Sequence, residues 1–225
     1  MNLLDIAGPV MVGPSSSHTA GACRIGNMAR KLLGEPVRQA DIRLHGSFLT
    51  TGKGHGTDRA LVAGLLGFSV DDLRIPDSFR LAEEAGLRFD FSGEDLGNVH
   101  PNTVRMLLTG ISGKSLAVTA SSVGGGRIRI VRLGDLEVNF SGDLPTLIVR
   151  NVDAPGMVER VTGLLKKDAI NIAAMDLRRK IRGGEAVMIL ECDEEVPEEA
   201  LRELRGTDGV VDVTYVSAKE DAEHV

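Results

Sequence analysis

The sequence predicts an α+β protein in two units. A mixed α/β domain occupies residues 1–143, a βαββαβ sandwich of the ferredoxin-like kind occupies 144–217, and a short tail follows at 218–225. Three observations predict this. The texture of the chain changes at the turn-rich stretch "SGDLP", Ser141 to Pro145. Beyond it, β-branched runs and stretches of helical spacing follow in the order strand, helix, strand, strand, helix, strand. Before it the order is irregular, and two polar loops each stand at the start of an apolar helical run.

In the first unit, "TAGACRIGNMARKLLG" places Ala22, Ile25, Met28, Ala29 and Leu32 on one helical face, started from "SSSH" and stopped by Gly34 and Pro36. "ADIRLHGSF" reads as a strand. A glycine-rich loop follows, then a second helix, "TDRALVAGLLG", and a strand at "GLRFDF". "SLAVTASSVGGGRIRIVRL" reads as two strands meeting near Gly124-Gly125-Gly126, although a triple glycine equally suits a flexible or functional bend.

In the second unit, "TLIVRNV" is a β-branched strand, and "DAPGMVERVTGLLKKD" carries Val158, Val161, Leu164 and Leu165 at helical spacing. Asp153 is its expected cap, with Pro155 in the first turn. "INIAAMDLRRK" and "EAVMILECD" flank Gly183-Gly184 as a hairpin. "VPEEALRELRG" is a short amphipathic helix with acids in its first turn, and "VVDVTYV" closes the unit as a strand.

Composition narrows the function. A net charge of −6, from 32 acids against 26 bases, with no basic run, argues against nucleic acid as a partner. No apolar stretch reaches the roughly 18 to 20 residues of a membrane span, and "MNLLDIAGPVMVG" has no basic segment ahead of its apolar residues. A cytoplasmic location without membrane attachment is therefore expected. The two cysteines, Cys23 and Cys192, form neither a disulfide framework nor a CxxC pair. An iron–sulfur cluster needs about four thiolates, so this chain cannot hold one by itself.

The chemistry resides in three loops. "TGKGHGTD", Thr51 to Asp58, resembles a phosphate cradle, but its spacing fails: Gly46 precedes Gly52 by one residue too many for a P-loop, and Lys53 is followed by Gly54. The alternating glycines put Thr57 where a dinucleotide fingerprint needs its third glycine. What remains is either a turn with a helix cap or a loop that brings its backbone close to a ligand, with His55 as donor, acid or base. "GPSSSHTAG" sets Ser15, Ser16, Ser17, His18 and Thr19 at a helix start, where free amides and the helix dipole favour a small anion such as a carboxylate. "VHPNTV" adds His100 and Asn102. Sequence does not establish that the three converge.

Taken together, "GPSSSHTAG", "TGKGHGTDRA" and "HPNTV" resemble the motifs of the β-subunit, or N-terminal domain, of bacterial iron–sulfur-dependent L-serine dehydratase. "NVDAPGMVERVTGLL" resembles the opening of an ACT regulatory domain, and the likeness covers essentially the whole chain. The resemblance implies conversion of L-serine to pyruvate and ammonia on a 4Fe-4S cluster that takes up the leaving hydroxide. It implies that Ser15, Ser16, Ser17, His18 and Thr19 clamp the substrate carboxylate, and that His55 and Thr57, with Lys53 as a weaker candidate, transfer protons or hold the substrate. The resemblance further implies that Asn102 of the third loop completes the pocket. The identity of the base stays open. Because the cluster cysteines of the family lie in its α portion, the resemblance also implies a separate α-subunit that ligates the cluster, and a β-subunit inactive alone.

For the ACT-like unit two readings stand side by side. One is homodimerisation through the unit, and the other adds L-serine as effector at Asn151, Asp153, Ala154, Pro155 and Gly156, where backbone amides meet a carboxylate and Asn151 or Asp153 an ammonium. A rival for the whole chain is a non-catalytic serine-binding regulator, because the first unit also resembles the allosteric substrate-binding-like domain of some phosphoglycerate dehydrogenases. A pyridoxal-phosphate enzyme using Lys53 is the weakest reading, since no second loop suits the cofactor phosphate.

Overall fold

The computed structural model describes residues 10–218, so the expected tail, apart from its first residue, lies outside the described residues. The apolar face read from the sequence forms α1 (Gly21–Leu33), with Ala22, Ile25, Met28, Ala29 and Leu32 all buried, and the left-handed Gly34 ends it. β1 (Val37–Leu44) follows but stops short of the expected "HGSF". There His45 turns the chain into a single helical turn, α2 (Gly46–Thr50). The reason is proximity: Gly46 has φ 54°, and a Cβ on it would sit 2.6 Å from the Pro101 carbonyl oxygen.

α3 (Thr57–Leu66) crosses α1 at close range. A Cβ at Gly64 would lie 2.0 Å from the Cys23 carbonyl oxygen, and one at Gly26 would lie 2.3 Å from that of Leu61. Two glycines at the crossing let the backbones touch, and α1 packs onto the sheet beneath it; Ile25, Leu33, Leu61 and Leu65 are all buried. α4 (Ser78–Glu84) and the edge strand β2 (Arg88–Gly93) come next.

β3 (Thr103–Gly110), β4 (Ser115–Gly124), β5 (Arg127–Leu133) and β6 (Leu136–Phe140) complete a six-stranded sheet of order β2-β1-β3-β4-β5-β6. β2 runs parallel to β1, and β3 to β5 are antiparallel. The triple glycine is a hairpin turn, Gly125 and Gly126 having φ 61° and 75° between β4 and β5. α4, β3 and β6 have no counterpart in the sequence reading. β3 is a central strand whose start is hidden inside the polar fragment "HPNTV".

The chain divides into compact units between Asp135 and Leu136, ahead of the change in texture at 143/144. Within the second unit, β7 (Thr146–Val152), α5 (Met157–Lys167), β8 (Ile172–Arg179), β9 (Glu185–Cys192), α6 (Glu198–Arg205) and β10 (Val210–Val216) follow the βαββαβ order, with an antiparallel sheet β10-β7-β9-β8. Leu147, Val149, Met188 and Leu190 of the sheet pack with Val161 and Leu165 of α5 and Leu201 and Leu204 of α6 in one core. Asp153 is not the cap of α5. Gly156, left-handed at φ 86°, holds that position, while the Asp153 carboxylate accepts from the Gly183 amide at 2.8 Å and from Arg179 at 2.6 Å. These two partners, the Gly183 amide foremost, hold its carboxyl below the usual range. No helix among the described residues is long and apolar enough to cross a membrane.

Gly64→Ala is expected to lower stability by about 1–3 kcal/mol or more, as overpacking does. Urea denaturation of the variant should show a lower midpoint at unchanged slope; a wild-type midpoint would contradict the close crossing of α1 and α3.

Candidate functional site

The serine-rich loop enters α1 through a wide turn. Ser15 is extended, and its Oγ accepts the His18 amide at 3.1 Å. Residues Ser16–Ala20 then form a π-helical turn in which the Gly21 amide returns to the Ser16 carbonyl. An insertion of this kind is frequent at functional sites, because it fans side chains out of the regular helical spacing. The Ser16 and Ser17 amides open the turn and have no intrahelical acceptor. Thr19 is drawn tightly under Gly13, whose φ is 110° and whose Cβ, if present, would lie 2.5 Å from Thr19 Cγ2.

The glycine loop is ordered as well. Gly52–His55 make a 3₁₀ turn, Gly56 is left-handed at φ 68°, and Thr57 is the first residue of α3 rather than its cap. Thr57 and Thr19 are buried at 0% and 3% exposure. Their hydroxyls bind the loops to each other: Thr19 Oγ1 donates to the His55 carbonyl at 3.0 Å, and Thr57 Oγ1 donates to the His18 carbonyl at 2.9 Å. This exchange brings the His18 and His55 rings to a centroid separation of 5.1 Å.

His18 is enclosed from several sides. The buried Phe48 ring meets it edge-on at 5.4 Å. Its Nε2 lies 3.0 Å from Ser47 Oγ and 3.1 Å from Thr51 Oγ1, and its Nδ1 lies 3.3 Å from Ser17 Oγ, which is 3.4 Å from Ser15 Oγ. The third loop joins by its backbone: the Pro101 carbonyl accepts the Ser47 amide at 2.8 Å, and the Asn102 carbonyl accepts the Ser122 amide at 2.9 Å. Burial lowers the His18 pKa below 6.5, the neighbouring His55 lowers it further, and the backbone of Ser47 opposes them.

Comparison with known proteins gives this geometry a context. The family model described as serine dehydratase beta chain matches residues 3–88, and the ACT domain model matches residues 145–209. Over 216 residues the chain is 40% identical to the probable L-serine dehydratase, beta chain, of Bacillus subtilis (strain 168), an alignment spanning 96% of this chain and 98% of that one. The chain belongs to the serine dehydratase beta chain family. A second family member, the L-serine dehydratase, beta chain, of Peptoniphilus asaccharolyticus, is 38% identical over 213 residues, 94% of this chain and 96% of that one. D-3-phosphoglycerate dehydrogenase of Bacillus subtilis (strain 168) is 26% identical over 196 residues, 87% of this chain but 37% of that one.

In this serine dehydratase beta chain, then, Ser15, Ser16, Ser17, His18, Thr19, His55 and Thr57 come together, whereas the Asn102 carbonyl bonds the Ser122 amide of β4 rather than any of these seven. Thr57 stands apart from the expectation. Its hydroxyl is sealed in the interior against the His18 carbonyl, and Thr19, buried likewise with its hydroxyl given to the His55 carbonyl, departs in the same way: both fasten loops rather than meeting a ligand. Lys53 is exposed on the 3₁₀ turn, as is His55. Ser47, Phe48 and Thr51 are the residues that sequence reasoning missed. The hydroxyls at 47 and 51 share the four-residue spacing of one helical face, a signal hidden by reading "HGSF" as strand.

In the ACT unit, Asn151 is 1% exposed, its Nδ2 donating to the Val152 carbonyl at 2.7 Å while its Oδ1 has no hydrogen-bond partner. Ala154, Pro155 and Gly156 are exposed beside it. The side chains do not fit an iron–sulfur cluster. Cys23 and Cys192 are both buried, in different units. The Cys23 thiol donates to the Phe68 carbonyl at 3.4 Å, and burial pushes it up to about 12 and Cys192 up to about 11. No group of three or more His, Cys, Asp or Glu side chains capable of holding a metal occurs among the described residues.

The His18 titration followed by NMR is expected to have its midpoint below 6.5, and His55→Ala is expected to raise it without restoring the unperturbed value, since burial is the larger cause. The sign for stability follows. The fold favours neutral His18, so its contribution is full above about 6.5 and is lost as pH falls from there toward the folded-state midpoint. A midpoint unmoved by His55→Ala would contradict the pairing of the two rings.

Proposed function

We propose that this chain is the substrate-binding subunit of an L-serine dehydratase, which joins a separate alpha chain to convert L-serine to pyruvate and ammonia, a carbon–nitrogen lyase of the cytoplasm. The single observation that carries the reading is the convergence of the serine-rich turn and the glycine loop on His18 and His55, in a chain that is 40% identical to a named beta chain along nearly its whole length.

Chemically, the arrangement suits an amino acid. The Ser16 and Ser17 amides and the Ser15 hydroxyl offer donors to a carboxylate at a helix start. His18, held neutral, orients the Ser17 hydroxyl. His55 is exposed and free to face a partner surface, and is the proton carrier of this chain, with Lys53 a weaker one. Because neither cysteine suits a cluster, the thiolates of a 4Fe-4S cluster are assigned to the alpha chain, and the beta chain alone is inactive.

The ACT unit is read as a dimerisation module that also takes L-serine. β8 is an edge strand, and its Met175 and Leu177, 40% and 46% exposed, continue the helix-bearing face that another copy would extend. Asn151, Asp153, Ala154, Pro155 and Gly156 form the effector loop, the unpartnered Asn151 Oδ1 being a candidate acceptor for an ammonium group. A second reading, a serine-binding regulator without catalysis, is favoured by the similarity to D-3-phosphoglycerate dehydrogenase over 87% of this chain. It requires ligand contacts but no proton carrier at His55.

Purified alone, the chain is expected to sediment as a dimer and to turn over no serine; anaerobic mixing with the alpha chain is expected to restore pyruvate formation. In the mixed enzyme, His55→Ala is expected to lower kcat/KM by about 10²- to 10⁴-fold, the usual worth of a positioned acid or base, with serine binding changed far less. Turnover by the chain alone at the rate of the mixture, or full activity of the variant, would overturn the reading.

A further inference from the structure

The surroundings of His18 allow its protons to be counted. Thr51 Oγ1 lies 2.9 Å from the Ser47 carbonyl oxygen, 3.1 Å from Ser47 Oγ and 3.1 Å from His18 Nε2. A carbonyl oxygen only accepts, so the one hydroxyl proton of Thr51 is directed to it. Thr51 Oγ1 therefore faces its other two neighbours with lone pairs. A bare Nε2 at 3.1 Å would set lone pair against lone pair, whereas a protonated Nε2 donates both to Thr51 Oγ1 and to Ser47 Oγ, which lies 3.0 Å away. The Ser47 hydroxyl is then free to donate to Thr51 Oγ1 as well. In a neutral ring the other nitrogen is the acceptor, and at Nδ1 the nearest donor is the Ser17 hydroxyl at 3.3 Å.

From this count we infer that Ser47 and Thr51 are positioning residues of the site: they hold neutral His18 in the Nε2–H tautomer, with the Nδ1 lone pair turned toward Ser17 in the serine-rich loop. The proton of Ser17 is thereby committed to the ring, and its oxygen meets a ligand as an acceptor, the character an amino-acid ammonium needs and a carboxylate does not. The two positioning residues differ in weight. Thr51 is the group with no proton to give, so it alone forces the tautomer; Ser47, which carries both a donor and an acceptor, follows. The Ser47 amide is pinned by the Pro101 carbonyl at 2.8 Å, which makes the third loop the anchor of the arrangement.

The consequence for substrate binding rests on the proposed function; the tautomer itself does not. It is read on the free chain, by long-range ¹H–¹⁵N correlation of ¹⁵N-histidine-labelled protein above the His18 titration, so a failure here is separate from a failure of serine turnover. Wild-type protein is expected to show His18 protonated at Nε2 and bare at Nδ1. Thr51→Val is expected to shift the tautomer ratio about fivefold toward Nδ1–H, what one net hydrogen bond carries, because the released Ser47 hydroxyl then donates to Nε2. Thr51→Ser is expected to restore the wild-type pattern, and Ser47→Ala to retain it, since Thr51 still only accepts. Thr51 is exposed, and an unchanged backbone amide spectrum verifies the fold; should Thr51→Val fail to fold, the wild-type and Ser47→Ala spectra decide the matter. Nδ1–H as the wild-type form, an unshifted Thr51→Val, or a switched Ser47→Ala would overturn the inference.

Discussion

Thr19 and Thr57 each donate a hydroxyl proton to the backbone carbonyl of the histidine on the opposite loop, and the rest of the site depends on that exchange. Both threonine side chains are buried, and losing either bond is expected to cost about 0.5–1.5 kcal/mol. The two loops begin different helices, α1 and α3, and those helices touch backbone to backbone through Gly26 and Gly64. The close crossing and the hydroxyl exchange serve one end. A helix pair held a side chain further apart would leave the serine-rich turn and the glycine loop on separate patches of surface.

Much of this was legible in the sequence, and particular residues show why the remainder was not. The periodicity of "GACRIGNMARKLL" is strong enough to specify α1, and the strand–helix–strand–strand–helix–strand order of the ACT unit survives because each of its elements carries its own pattern. Thr57 was singled out in the sequence for chemistry, and its surroundings were not legible there. A threonine after a histidine in a polar loop looks like chemistry, and only the fold shows that its hydroxyl is sealed against the His18 carbonyl. Asp153 was misread: an acid ahead of a helix suggests a cap, yet it ties the loop to the β8–β9 hairpin through Gly183 and Arg179. Ser47 and Thr51 were missed because the strand reading of "HGSF" put consecutive side chains on opposite faces, whereas the turn at Gly46 puts 47 and 51 on one.

The candidate site and the ACT unit are built on different physical terms. Around His18 and His55 the contacts are hydroxyls, amides and rings arranged by close backbone approach, and the cation-forming groups are kept neutral or exposed. The ACT unit is an apolar core of one sheet face and two helices, with a polar loop tied by charge and an exposed edge strand.

The coupling of the two histidines tests the account most directly. The His18 midpoint should be measured by NMR in four proteins: wild type, His55→Ala, Thr57→Val and the double variant. If the hydroxyl exchange holds the loops together, His55→Ala raises the midpoint in the wild-type background and leaves it unmoved in the Thr57→Val background, where the rings have separated. An equal rise in both backgrounds would show that the loops converge without the threonines, and would contradict the account.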